Sequence, residues 1–446
     1  MPQRETWATR TGFILAAVGS AVGLGNIWRF PFAVGQEGGA AFLLVYLLFV
    51  VLIGFPAMLV EFTLGRRTQK NPVGALAQMG GRTWKLVGLV FVVTGFTILS
   101  YYSVIAGWTI RYTFASLTGA YTADPEAYFG AVSVGFDAVA FHALFMVLVI
   151  GVIALGVRSG IELAVKFMVP AIIALGIGLA AYAFTLDGAG AAYQFYLSPD
   201  LDVLAAEWQS ILPAAAGQAF FTLSLGMGVM ITYSSYLAED RNLASDGAII
   251  IGFDTAIAFL MGLILFPFLF TAGVDPGEGG PGTLFISLAA AFAELPAGNI
   301  LGAVFFGTVA IAALSSAISL LEVPVSYVID EFGVDRMTAT LGVGGLVFVL
   351  GLAPALDLIF LDLFDLFADA ILLVLGGLLV SIFVSWIVPD EALDELQKGI
   401  GELGSIGTAW VWAVRIPVVL VLAFSLYLGI VGYIEFLTTD FADWLG

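Results

Sequence analysis

The sequence predicts an all-α membrane protein whose helices cross the bilayer many times. Three observations carry that reading: the composition, a series of long apolar stretches, and two glycine-rich interruptions in matching positions. Of 446 residues, 61% are hydrophobic and only 11% charged, with a mean hydropathy of +1.05. Soluble domains carry about 25% charged and about 45–50% apolar residues, so a soluble enzyme and a disordered chain are excluded. The charges comprise 34 acids and 15 bases, net −19. That balance excludes a nucleic-acid partner, because phosphate neutralisation needs clustered Lys and Arg. The chain has no cysteine, which removes disulfides, thiolate metal sites and cysteine nucleophiles.

A helix needs about 20 mostly apolar residues to cross the hydrocarbon core. Eleven stretches qualify, at about 11–33, 40–64, 86–118, 139–157, 163–185, 209–236, 247–273, 298–329, 338–356, 358–388 and 409–437. The first is too long for a signal peptide and lacks a small-residue cleavage site. None shows the dyad alternation of a β-barrel strand. With the N-terminus cytoplasmic, thirteen of the fifteen bases fall on cytoplasmic segments, leaving only Arg29 and Arg111 elsewhere; this satisfies the positive-inside rule and puts the C-terminus outside. The expected location is the plasma membrane, with the lipid bilayer as partner. Most acids lie in connecting segments on both faces and lysine is scarce, so we expect adaptation to high salt and a halophilic host.

Two stretches are broken at mid-depth. The first carries Gly19-Ser20-Ala21-Val22-Gly23-Leu24-Gly25-Asn26, the sixth Phe221-Thr222-Leu223-Ser224-Leu225-Gly226-Met227-Gly228. Each glycine costs a helix about 1 kcal/mol against alanine, and unwound backbone at that depth must line protein or water. Each break opens a set of five spans, about 11–185 and 209–388, with 409–437 as an extra helix. Five is odd, so the second set is inverted relative to the first. We therefore expect one transmembrane domain over 1–446, a 5+5 inverted repeat. Broken helices opening each half mark the mid-membrane site of a secondary transporter.

The run Trp7-Ala8-Thr9-Arg10 and the first break, continued by Ile27-Trp28-Arg29-Phe30-Pro31, resemble the first-helix signature of the neurotransmitter:sodium symporters. Gln218-Ala219-Phe220-Phe221-Thr222-Leu223-Ser224-Leu225-Gly226 resembles the sixth-helix signature of their prokaryotic, eleven-helix branch, which has the leucine-transporter fold. Further matches at Tyr101-Tyr102, Trp108, Leu314-Ser315-Ser316 and Asp365 to Gly377 extend the resemblance over essentially the whole chain.

The resemblance implies sodium-driven amino-acid uptake by alternating access, with two sodium sites. A hard cation takes oxygen ligands. The first site is expected at the Ala21 carbonyl, Asn26, Thr222 and the substrate's carboxylate, with Asp254 beside it. The second is expected at the Gly19, Val22 and Ala312 carbonyls and the Ser315 and Ser316 hydroxyls. The substrate's carboxylate should meet amides near Leu24 and Gly25 and the Tyr102 hydroxyl. Its amine should face Ala21, Phe221, Thr222 and Ser224. Ile98, Phe221, Met227, Ser316 and Leu320 would enclose its side chain, favouring a hydrophobic or aromatic amino acid.

Ionisable groups inside spans are costly and functional by default. The resemblance assigns Arg29 and Asp365 to an extracellular gate with Tyr102 and Phe221, and Arg4 and Asp330 to a cytoplasmic gate with Trp7 and Tyr236. The resemblance places Asp254 where many relatives carry Asn; a fixed carboxylate there would replace the chloride that some of them need, so chloride-independent transport is expected. In a low dielectric Asp254 favours its protonated form when no cation is near, so proton counter-transport is expected. Glu61 and Glu322 are expected to accept hydrogen bonds from backbone freed at the sixth-helix break. Alternatives are a polar amino acid or an osmolyte as substrate, coupling to protons alone, or a transport-inactive sensor of the same fold. No catalytic constellation is present, and whether two copies pair as a homodimer stays open.

Overall fold

A computed structural model describes residues 5–276 and 281–446, and all regular structure among them is helical. The main elements are α1 (Arg10–Ala21), α2 (Gly25–Gln36), α3 (Ala40–Thr68), α4 (Arg82–Thr118), α5 (Phe136–Ala154) and α6 (Val157–Ala183). They continue with α7 (Leu201–Thr222), α8 (Val229–Ser234), α9 (Leu243–Ala272), α10 (Gly298–Phe332), α11 (Arg336–Leu356), α12 (Leu358–Ile387) and α13 (Gly404–Leu445). Among the described residues, nine helices are long and apolar enough to cross a membrane, and α1 with α2, bent by 48°, makes a tenth. The sixth predicted stretch is divided into α7 and the six-residue α8.

The most hydrophobic windows of α10 and α4 are 72% and 67% buried, whereas that of α13 is 17% buried. The first two form the centre, packed along each other, and α13 lies at the rim against α12. Side-chain caps start several helices: Thr9 accepts from the Gly12 amide, Asn242 from Ser245 and Asp335 from Thr338. Each satisfies an orphan donor of a first turn.

The breaks have local causes. Val22 leaves α1 in extended geometry, φ −79°, ψ 92°. Between α7 and α8, Ser224, Gly226 and Gly228 take φ of 53°, 75° and 75°, the left-handed region that side chains other than glycine rarely adopt. At Gly226 glycine is required twice, because a Cβ there would lie 2.1 Å from the Leu373 carbonyl oxygen.

The start of α1, the ends of α3, α8, α10 and α12 and the starts of α9 and α11 meet on one face, called here the N-terminal face. Arg66 is the knot on that face. Its side chain and that of Glu395 have no exposed surface. Arg66 Nε donates to Glu395 Oε1 at 2.6 Å, and its remaining nitrogens donate to the Arg241 and Glu395 carbonyls. The end of α3 is thereby tied to the segment after α8 and to the short helix Pro389–Gln397. A buried pair stripped of one partner leaves an uncompensated charge, at about 3–5 kcal/mol. Glu395→Ala should therefore lower the unfolding temperature of the purified protein by more than Glu391→Ala, an acid on the same short helix, in a thermal-shift series.

Candidate functional site

Both breaks open onto one cavity at mid-depth, lined by Ser20, Ala21, Gly23, Leu24, Gly25, Ile98, Tyr102, Phe221, Ser224, Met227, Ser316 and Leu320. The space between its atoms is about 320 Å³. No charged side chain lines it. Ten of the eleven expected substrate residues are here; Thr222 turns away toward Asp254. Leu24 N donates to the Tyr102 hydroxyl at 3.2 Å, so the freed amide and the phenol that were to hold a carboxylate face each other. Gln218 Nε2 donates to the Gly25 carbonyl at 3.0 Å, tying α7 to the first break.

Asn26, Thr222 and Asp254 are fully buried and converge. Asn26 Nδ2 donates to Asp254 Oδ1 at 2.8 Å and to its carbonyl at 3.2 Å, and Thr222 Oγ1 reaches the carboxylate at 3.2 and 3.3 Å. Tyr46 on α3 lies in the field of that carboxylate. A second oxygen cluster joins α1 to α10. Ser315 Oγ donates to the Ala312 carbonyl at 2.8 Å and the Val22 carbonyl at 3.4 Å, while Ser316 Oγ donates to Ser20 at 2.8 Å and Gly19 at 3.4 Å. Hydroxyls rotate, so each serine has a lone pair to offer a cation held by those carbonyls. Both clusters supply hard oxygen donors and suit a sodium ion. The hydroxyl chain Ser224, Ser20 and Ser319, at 3.1 and 2.6 Å, stitches the two breaks to α10; polarity in the flanking sequence was its only signal.

Phe221 walls the cavity on the side away from the N-terminal face and also lines a second, larger cavity of about 1040 Å³ beyond it. The Arg29 guanidinium sits 4.5 Å over the Phe221 ring. The partner of Arg29 corrects the sequence reading: it is Asp369 and not Asp365. Tyr101 Oη donates to the other Asp369 oxygen at 3.0 Å. Both members of this ion pair sit in π-helical turns, Gly25–Arg29 and Leu366–Leu373, and such turns are frequent at functional sites. The π turn around Asp369 puts it, one turn beyond Asp365, against Arg29.

On the N-terminal face, Trp7 Nε1 donates to the Tyr233 carbonyl at 2.9 Å, with its ring edge-on to Tyr233 and Tyr236. Arg4 lies outside the described residues. Asp330 accepts from the backbone and side-chain amides of Asn71 at 3.2 and 2.9 Å. Glu61 Oε1 accepts the Gly226 amide at 2.7 Å, inside the second break. Glu322 is a correction. It does not reach that break but accepts from Tyr236 Oη at 2.7 Å and from both terminal nitrogens of Arg336 at 2.7 and 2.9 Å. The Arg336 charge is the stronger attraction for a buried carboxylate. Glu162 on α6, absent from the sequence reading, binds the start of α1 through Ala8 N at 2.7 Å and Thr9 Oγ1 at 2.8 Å.

A polytopic helical protein with two broken helices around a mid-depth cavity, and a separate layer of side chains on each side of it, is a secondary transporter. The sequence profile of the Sodium:neurotransmitter symporter family matches residues 4–125 and 133–444. A sodium-dependent transporter of Bacillus subtilis is 35% identical over 96% of this chain and 98% of its own length. One from Methanocaldococcus jannaschii is 35% identical over 92% and 87%. The crystal structure of MhsT in complex with L-phenylalanine superposes with a TM-score of 0.87 at 40% identity, covering 96% of this chain and all of that one. The chain belongs to the sodium:neurotransmitter symporter family and is a sodium-dependent membrane transporter, not an enzyme.

Deleting the Glu61 carboxylate leaves the Gly226 amide without its acceptor, a loss of about 1–3 kcal/mol for a buried donor. Glu61→Ala should destabilise the purified protein in a thermal-shift assay more than Glu61→Gln, whose side-chain carbonyl still accepts.

Proposed function

We propose that the protein imports a hydrophobic or aromatic amino acid together with sodium, by alternating access, in a plasma membrane with its N-terminus cytoplasmic. The cavity wall carries this reading. Ile98, Phe221, Met227 and Leu320 offer a side chain only apolar surface, while Leu24 N and Tyr102 Oη offer a carboxylate two donors at the break. The amine would face Ala21 and Ser224. MhsT, which binds L-phenylalanine in its solved complex, supports an aromatic amino acid. Eleven crossings follow if α7 and α8 together form one. Two inverted halves, about 11–185 and 209–388, and the extra span 409–437 complete the arrangement.

Two sodium ions would be held, one at Ala21, Asn26, Thr222 and Asp254 and the other at Gly19, Val22, Ala312, Ser315 and Ser316. The substrate's carboxylate, bound beside the first ion, would couple the two energetically. Arg29 and Asp369 over Phe221 would form the extracellular gate. Trp7, Tyr236, Glu322 and Arg336 would form the cytoplasmic one, with Asp330 at its edge. Asp254 supplies a fixed negative charge where the first ion binds, which supports chloride-independent transport and a proton carried outward on the return step.

In proteoliposomes, a panel of labelled amino acids should show uptake of L-phenylalanine or a similar apolar amino acid that falls to background when choline replaces sodium. Uptake unchanged in choline overturns the reading. Replacing chloride by gluconate should leave the rate unaltered. Asp254→Asn should lower uptake by about tenfold, the scale of one buried charge–ion contact, and chloride should restore part of it; equal activity with and without chloride overturns the assignment. An acidic lumen should speed uptake into right-side-out vesicles, by supplying the proton for the return step, and should have no effect on Asp254→Asn.

A further inference from the structure

Three arginines lie inside predicted spans, and two of them have a carboxylate: Arg29 pairs with Asp369 and Arg111 with Asp137 at 3.0 Å. Arg415, on α13, has no carboxylate within ion-pair distance among the described residues. Its anchor is the Ser385 carbonyl on α12, which accepts from Nε at 2.9 Å and from Nη2 at 2.5 Å. That carbonyl is free for a local reason. Four residues on stands Pro389, which has no N–H to complete the helical bond. The guanidinium also lies 4.8 Å over the Trp386 ring and 5.1 Å over the Trp412 ring. An arginine carries five N–H donors in a planar fork. Two are used here, and the edge formed by Nη1 and the second Nη2 hydrogen has no acceptor among the described residues.

We propose that this edge of Arg415 binds the phosphate of a phospholipid in the leaflet next to the N-terminal face, the cytoplasmic leaflet under the orientation given above. The depth fits a headgroup. Trp386 stands one residue before the end of α12 at Ile387. Trp386 and Trp412 are 56% and 51% exposed, at a rim where α13 is little covered by the rest of the protein. Exposed tryptophans at a span end mark the boundary between water and lipid. Ile387 and Ile416, each next to a clamp residue in sequence and both exposed, offer apolar surface to acyl chains. The chemistry fits as well, because a guanidinium edge matches two phosphate oxygens at once. The Ser385 carbonyl and the two rings hold the fork in place before the lipid arrives, which lowers the ordering cost of binding. An ionised side chain inside a span needs a partner, and the lipid phosphate supplies the negative charge that the protein does not.

The test titrates delipidated protein in detergent with phosphatidylglycerol and counts the bound lipids by native mass spectrometry. The first lipid should bind more tightly than later ones. Arg415→Gln should weaken that first step by about fivefold, the scale of one basic side chain at a lipid surface, and leave later steps unchanged. Arg415→Lys, which keeps the charge and loses the fork, should recover part of the affinity. Arg415→Gln also takes a donor from the Ser385 carbonyl, so a second variant separates binding from folding. Trp412→Leu, at an exposed position, should weaken the first step by about twofold, the scale of an exposed cation–π contact, with an unchanged unfolding temperature. Equal first-step affinities in the parent and in Arg415→Gln overturn the site. Displacement of the first lipid by excess inorganic phosphate overturns a lipid as its occupant. A protein dimer that Arg415→Gln dissociates, with the lipid count unchanged, assigns the clamp to a second copy of the chain and overturns the proposal too.

Discussion

Backbone that leaves a helix inside a bilayer must find every hydrogen-bond partner within the protein, and the architecture around residues 22–26 and 223–228 follows from that constraint. The partners come from neighbouring helices and not from the broken ones alone. Glu61 of α3 takes the Gly226 amide, Tyr102 of α4 takes the Leu24 amide, and Ser316 of α10 binds the Ser20 carbonyl. Gln218 returns a donor from α7 to the Gly25 carbonyl. Groups that a continuous helix would have saturated with its own bonds are thereby held in fixed orientations around a small cavity. Polar binding chemistry at mid-depth is a consequence of satisfying the breaks with side chains that a ligand or an ion can compete with.

The same economy governs the buried acids. Four of the buried carboxylates show how such groups are answered: Arg29 for Asp369, Arg336 for Glu322, Arg66 for Glu395, and Asn26 with Thr222 for Asp254. The first three are ion pairs that join separate helices. Asp254 is held by neutral groups only, which leaves its charge available to a cation. Glu61, held by the Gly226 amide, shares that arrangement.

Much of this was legible in the sequence, for identifiable reasons. The breaks are visible because three glycines or near-equivalents within eight residues weaken an apolar helix at one point of its length, whereas Ile98, Tyr102, Ser316 and Leu320, on other helices, were reached only through the family resemblance. Asp369 was not legible, because choosing between two aspartates one turn apart depends on a π turn, which residue types do not encode. Glu322 was misplaced because a glutamate in a span signals that a partner exists without saying which; Arg336, at the start of the next helix, was counted only as a cytoplasmic charge. Glu162 was overlooked since it begins a span and reads as an ordinary first-turn acid. The sixth stretch was legible as apolar, yet its inner half is too short to stand as a helix by length alone, since Gly228 begins it and Ser235 ends it.

The two faces are held closed by unequal means. Away from the N-terminal face, one ion pair, its arginine partly exposed and its aspartate buried, and one aromatic ring separate the cavity from the outer space. On the N-terminal face, the start of α1 is secured through Trp7 to Tyr233, through Ala8 and Thr9 to Glu162, and through Arg10 to Asp246 at 2.6 Å, while Glu5 binds Arg336 at 3.0 Å. Opening that face requires several bonds to part together, whereas opening the other requires one pair to separate. A ligand shifts such a balance only by its differential affinity for the two states. The clusters at Ser315–Ser316 and at Asp254 both include atoms of the first break, and α1 is the element the N-terminal ties hold. An ion bound there therefore acts on the helix whose release is most costly, and ion binding can decide which face opens.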